Sequence, residues 1–87
     1  MSTIAGSLEQ LAALGRQFEQ QSQTVEQLTS TIRGELGNAL WEGPAADRFR
    51  SSWSGEFEPA LRKLQSALQE AGVEVNRRRD ALQAAGS

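Results

Sequence analysis

Asn38-Ala39-Leu40-Trp41-Glu42-Gly43-Pro44 stands almost at the midpoint of an 87-residue chain and separates two long amphipathic stretches. Gly37 and Asn38 weaken the end of whatever helix precedes them, because both residues tolerate the backbone angles found just past a helix C-terminus. Pro44 suits the first position of a following helix, where its missing N–H would be unpaired anyway, and Gly43 is acceptable at the cap before it. The stretch therefore predicts a turn over about residues 40–43, between helix 1 over about 7–39 and helix 2 over about 44–83. A tryptophan in so short a connection is not where a core tryptophan ordinarily goes.

Upstream of the turn, Ile4, Leu8, Leu11, Phe18, Val25, Ile32 and Leu36 are spaced by steps that sum to sevens, with Leu14 and Leu28 one position beside them. This is a heptad stripe on one helix face. Gly15, Ser22 and Thr29, also seven apart, fill its gaps. Small residues there either admit a partner helix closely or merely weaken the seam; the spacing supports both equally. Ser7-Leu8-Glu9-Gln10 has the form of a capping box and places the helix start near Ser7.

Downstream, the stripe runs through Ala46, Phe49, Trp53, Phe57, Leu61, Leu64, Leu68, Ala71, Val75 and Leu82. From Phe57 it is a regular 4-3 repeat broken only by Arg78. Before Phe57 the steps are 4 and 4, a stutter that rotates the stripe. Pro59 falls at the same place and cannot donate to the carbonyl of Gly55. A kink between residues 55 and 59 is expected, with the helix continuing beyond it. Ala84-Ala85-Gly86-Ser87 is expected to be disordered.

Helix formers dominate the composition, and a length of 87 residues sets one domain. Two helices joined by so short a turn lie antiparallel, each roughly 45–60 Å long at 1.5 Å per residue. The fold class is all-α: an antiparallel two-helix hairpin. A single helix–helix seam buries little, and both helices carry apolar residues beside it (Leu14 and Leu28; Ala60 and Ala67), so the hairpin is expected to dimerise into a four-helix bundle. Leu11, Phe18, Val25, Ile32, Phe49, Trp53, Phe57, Leu61, Leu64 and Leu68 are the expected hairpin and dimer packing residues. Replacing Trp53, which lies on the stripe with Phe49 and Phe57, should cost several kcal/mol.

The composition argues against several function classes. Nine Lys and Arg balance eleven Asp and Glu, which asks for neither nucleic acid nor an anionic membrane. His, Cys and Tyr are absent, which removes the commonest general bases, the soft metal ligands and the thiol nucleophile. Glu9, Glu19, Glu26 and Glu35 look like the solvated face of helix 1, and the glycines form no phosphate-binding loop. The reading is a non-enzyme with no catalytic residues, no metal, no cofactor and no small-molecule substrate. Arg77-Arg78-Arg79 is better explained as favourable charge in the last turns of a helix than as a binding patch. Met1-Ser2-Thr3-Ile4-Ala5-Gly6-Ser7 has no basic n-region and no unbroken apolar h-region, so no secretory signal peptide is read there. No run is long enough to span a bilayer. Export would take the protein folded, by a specialised route.

Trp41-x-Gly43 at the midpoint, followed by Ala45, Ala46, Phe49 and Trp53 at helical spacing, resembles the WXG-motif family of roughly hundred-residue bacterial proteins, the early-secreted-antigen type. The resemblance covers the whole chain. It implies a helical hairpin that dimerises with a like protein and is exported folded, without a cleavable signal, by a type VII secretion system driven by a membrane-bound ATPase. The chain would be cytoplasmic before export and then secreted, as substrate, effector or co-secretion adaptor. It also implies a second signal, Tyr-x-x-x-Asp/Glu late in helix 2, which lies near the Trp-x-Gly turn of the other subunit. The matching stretch here is Asn76-Arg77-Arg78-Arg79-Asp80: the acidic position is kept, and Asn stands where Tyr is expected. Either the signal is degenerate, or the partner supplies the Tyr-bearing tail while this subunit supplies the turn. The second reading is preferred, and with it a heterodimer over a homodimer. The implied recognition residues are Trp41, Gly43, Asn76 and Asp80. The rivals from other classes are a cytosolic helical interaction module and a membrane-active secreted effector.

Overall fold

The computed structural model describes residues 3–86. Helix α1 spans Thr3–Asn38, α2 spans Pro44–Ser52, a π-helical turn spans Trp53–Phe57, and α3 spans Glu58–Gly86. The last three are one continuous helical arm, which lies antiparallel to α1 in a rod of 65 × 17 × 12 Å. No helix among the described residues is long and apolar enough to cross a membrane.

The arms run further at their free end than the capping-box spacing predicts. Helix α1 is already formed at Thr3, ahead of Ser7, and α3 carries Ala84, Ala85 and Gly86 in helix where disorder is expected; Ser87 lies outside the described residues. The reason is mutual support. A Cβ placed on Gly86 would come within 3.2 Å of the Ile4 side chain, so the two ends pack on one another. Local capping chemistry loses to tertiary contact here.

The contact between the arms is small and polar. Gly15, Ser22 and Thr29 are buried on α1, and Glu58 and Gly72 are buried on α3. A Cβ on Gly72 would lie 3.3 Å from Phe18 Cβ and 3.6 Å from the Gly15 carbonyl oxygen. The Ser22 hydroxyl donates to the Gln65 carbonyl at 3.4 Å. These pairs fix the register: 15 faces 72, 22 faces 65, and by sevens 29 faces 58. Close approach, not a weakened seam, is therefore what the small residues provide. The buried hydroxyls stay satisfied, with Thr29 Oγ1 donating at 2.7 Å to the Val25 carbonyl four residues back.

The large apolar side chains flank this seam instead of filling it. Leu11, Phe18, Leu61, Leu68, Val75 and Leu82 are half-buried, and Val25 is the one large apolar side chain buried among the described residues. Leu14, Leu28, Ile32, Phe49, Phe57 and Leu64 are exposed. An antiparallel pair is related by a two-fold axis through its contact, so equivalent flanks of the two arms fall on the same side of the rod. One long face is consequently apolar and unpaired within the hairpin. The other carries Arg16, Glu19, Glu26, Arg33 and Arg62.

At the stutter, the arm absorbs Pro59 through the π-turn. The Glu58 N–H donates to the Trp53 carbonyl, five residues back, and the next residue has no N–H to give. One extra residue is thereby accommodated, as the 4-4 spacing requires, and the helix continues through Gly86. The Ser54 hydroxyl donates to the Arg50 carbonyl at 2.9 Å, covering an acceptor at the entrance to the turn.

Candidate functional site: the hairpin tip and its aromatic row

Residues 39–43 close the hairpin, and α2 begins at Pro44. Gly43 has φ 113° and ψ 177°, the single positive φ among the described residues. This extended left-hand region is open essentially to glycine alone. Nothing lies within 4 Å of where its Cβ would be, so backbone conformation and not crowding requires glycine. The Gly43 carbonyl then accepts from the Asp47 N–H at 3.0 Å, starting α2.

Helix α1 has no basic residue in its last turn to meet its free carbonyls. The cation comes from across the turn. Arg50 donates to the Leu36 carbonyl from Nε (3.3 Å) and Nη2 (3.1 Å), to the Ala39 carbonyl from Nη2 (3.2 Å), and to the Trp41 carbonyl from Nη1 (2.8 Å). One guanidinium thus ties the end of α1, the loop and α2 together. Its planar fork is what allows three carbonyls to be met at once.

Trp41 is 45% exposed and Leu40 is 98% exposed. The indole of Trp41 stands 5.9 Å from the Phe49 ring, and Phe49 stands 6.3 Å from the Phe57 ring, centroid to centroid, both tilted. These spacings suit attractive ring pairs. They join the tip to the exposed apolar face in one aromatic row.

Trp53 faces a different environment. Its Nε1–H donates to Glu58 Oε1 at 3.2 Å. The same oxygen accepts from Arg33 Nε at 2.7 Å, and Oε2 accepts from Arg62 Nη2 at 2.8 Å. The Arg33 hydrogen bond, helped by the charges of Arg33 and Arg62, holds the Glu58 carboxyl below the usual glutamate range against the opposing effect of burial. Arg33 is correspondingly raised by that hydrogen bond. This cluster locks α1 to the arm beside the π-turn.

The other two residues of the implied signal lie elsewhere. Asn76 is half-buried against α1, its amide occupying the space a side chain at Gly15 would need. Asp80 is exposed and paired with its neighbour Arg79 at 3.1 Å. Gly15 precedes the end of α1 by 23 residues, so Asn76 sits about 35 Å along the rod from the turn. Within one chain the structure does not bring Asn76 and Asp80 to Trp41 and Gly43.

Sequence reasoning passed over Arg50, Arg33 and Glu58. Two signals pointed to them: a helix end lacking a cation, and the row Glu58, Gln65, Gly72, Arg79, seven apart, which mirrors Gly15, Ser22 and Thr29. No curated protein and no solved structure matches the chain. The family described as proteins of 100 residues with WXG does match, over residues 3–87. With Trp41 and Gly43 set at the turn between two long antiparallel helices, this chain belongs to the WXG100 family.

Proposed function

We propose that this chain is a secreted hairpin subunit, exported folded and without a cleavable signal by a type VII secretion system, as substrate or co-secretion adaptor. Membership of a family known as substrates of that system supports the general kind. The observation that carries the finer reading is the tip itself. A half-exposed Trp41 stands on a turn whose backbone only Gly43 accommodates, where an interface anchor is wanted. In this reading the chain is cytoplasmic until a membrane-bound secretion ATPase engages it.

The partner is a second WXG-type subunit laid along the apolar face. Asn76 stands where the second signal asks for Tyr and is engaged against Gly15, which supports a division of labour: this subunit supplies Trp41 and Gly43, and its partner supplies the aromatic tail. A heterodimer follows. Normal export of this chain with no related partner present would count against it.

The test of the turn is Trp41→Ala. Export should be lost while helicity by circular dichroism and dimerisation by sedimentation stay close to those of the unaltered chain. Unfolding of the variant would instead make Trp41 a structural residue and remove this reading.

A further inference from the structure

We propose that Arg50 is the positioning residue of the turn, holding Leu40 and Trp41 as a rigid, paired apolar anchor for the export machinery. The inference rests on the reading of the turn given above and adds to it a second contact residue and the device that fixes both.

Three observations lead here. Leu40 is 98% exposed, beside a Trp41 that is 45% exposed, so the hairpin itself has almost no use for the leucine. Large apolar side chains displayed side by side at a tip are what a recognising pocket takes up, whereas scattered ones need no explanation. Second, residues 39–42 have no regular structure, and such a segment would ordinarily be mobile. The guanidinium of Arg50 makes four hydrogen bonds to the carbonyls of Leu36, Ala39 and Trp41, on both sides of Leu40. Third, the Gly43 backbone at φ 113° fixes how the chain leaves the turn into Pro44. Ordering a loop before it binds removes that entropy cost from the binding step. Lysine would keep the charge near the end of α1 but could not meet three carbonyls in one plane.

The experiment compares Arg50→Gln, Arg50→Lys, Leu40→Ser and Trp41→Ala in the full chain, each co-expressed with its secretion system and partner. Backbone 15N order parameters at Leu40, Trp41 and Glu42 report the clamp directly. They should be near the rigid value of about 0.85 in the unaltered chain and fall toward about 0.6 in both Arg50 variants. Export should fall about tenfold or more in Leu40→Ser, whose side chain is too exposed to affect folding, and in Arg50→Gln, with melting temperature little changed. Unchanged order parameters in Arg50→Gln would overturn the clamp, and wild-type export of Leu40→Ser would overturn the paired anchor. If Trp41→Ala abolishes export while Arg50→Gln is exported normally, only the positioning role fails. If Trp41→Ala is itself exported normally, the reading of the turn falls, and this inference falls with it.

Discussion

Glu58 is the charged residue on which the two arms agree. Its carboxylate takes Arg33 from α1, Arg62 from the next turn of its own helix, and the indole N–H of Trp53 across the π-turn. Breaking such a cluster from one side leaves the remaining donors without their acceptor. Because its proton affinity in the folded chain is lowered, chiefly by the Arg33 hydrogen bond, the stability Glu58 contributes is fully present above the ordinary glutamate value, about 4.3. It is lost as pH falls through the lower folded value. Glu58→Gln should therefore melt earlier than the unaltered chain at pH 7, and the gap should narrow steadily below about pH 4. Thermal melts of the two proteins from pH 7 to pH 3 check this; a gap that stays constant or widens with acid would contradict it.

At the scale of the helices, the glycines divide by what they touch. Gly72 sits where a Cβ would press on Phe18 Cβ, a rigid atom close to the α1 backbone, so the arms would have to part. Gly34 has nothing within 4 Å of its Cβ direction and lies on an exposed stretch of α1. Gly72→Leu should accordingly destabilise the protein by about 1–3 kcal/mol through overpacking. Gly34→Ala should stabilise it by about 0.5–1 kcal/mol through helix propensity. Chemical denaturation of both variants against the unaltered chain measures the two signs together. The same residues show what the sequence could tell. Periodicity of 3.5 places Leu11, Phe18, Val25, Leu61 and Leu68 on stripes, and Gly43-Pro44 marks the start of α2. Periodicity alone cannot say which of two adjacent rows forms the closest contact. The eye goes to the leucines, while the arms meet through Gly15, Ser22, Thr29, Glu58 and Gly72. Arg50 was legible only indirectly, through a helix end that lacks a cation of its own. Its partners are backbone carbonyls on the far side of a turn, and carbonyls leave no trace in residue type.

The hairpin as a whole is extended for its mass. A compact chain of 87 residues has a radius of gyration of about 12 Å, whereas this one has 19.4 Å. A compact monomer of 9.5 kDa exposes about 5,000 Å², and this chain exposes 6361 Å². The excess, roughly 1,300 Å², is more than the roughly 800 Å² that one partner contributes to a standard interface. Part of what is exposed is apolar. Leu14, Leu28, Ile32, Phe49, Phe57 and Leu64 are exposed along a single face, bordered on α1 by the uncharged Gln10, Gln17, Thr24 and Thr31. Arg16, Glu19, Glu26, Arg33 and Arg62, by contrast, lie on the opposite face, where water serves them. A two-helix seam centred on glycine, serine and threonine, with its large apolar side chains mostly half-buried or exposed beside it, buries too little apolar surface to offset the entropy of ordering both arms. Association should therefore supply much of the folding free energy, and apparent stability should rise with concentration or with added partner subunit. Sedimentation and circular dichroism of the isolated chain at micromolar concentration should find an associated or a partly unfolded species. Leu28→Lys combined with Leu64→Lys should lower the helical content further, because two charges then lie on the surface that must lose water. A stable, fully helical monomer under those conditions would leave the apolar face without a purpose and end the case for a bundle.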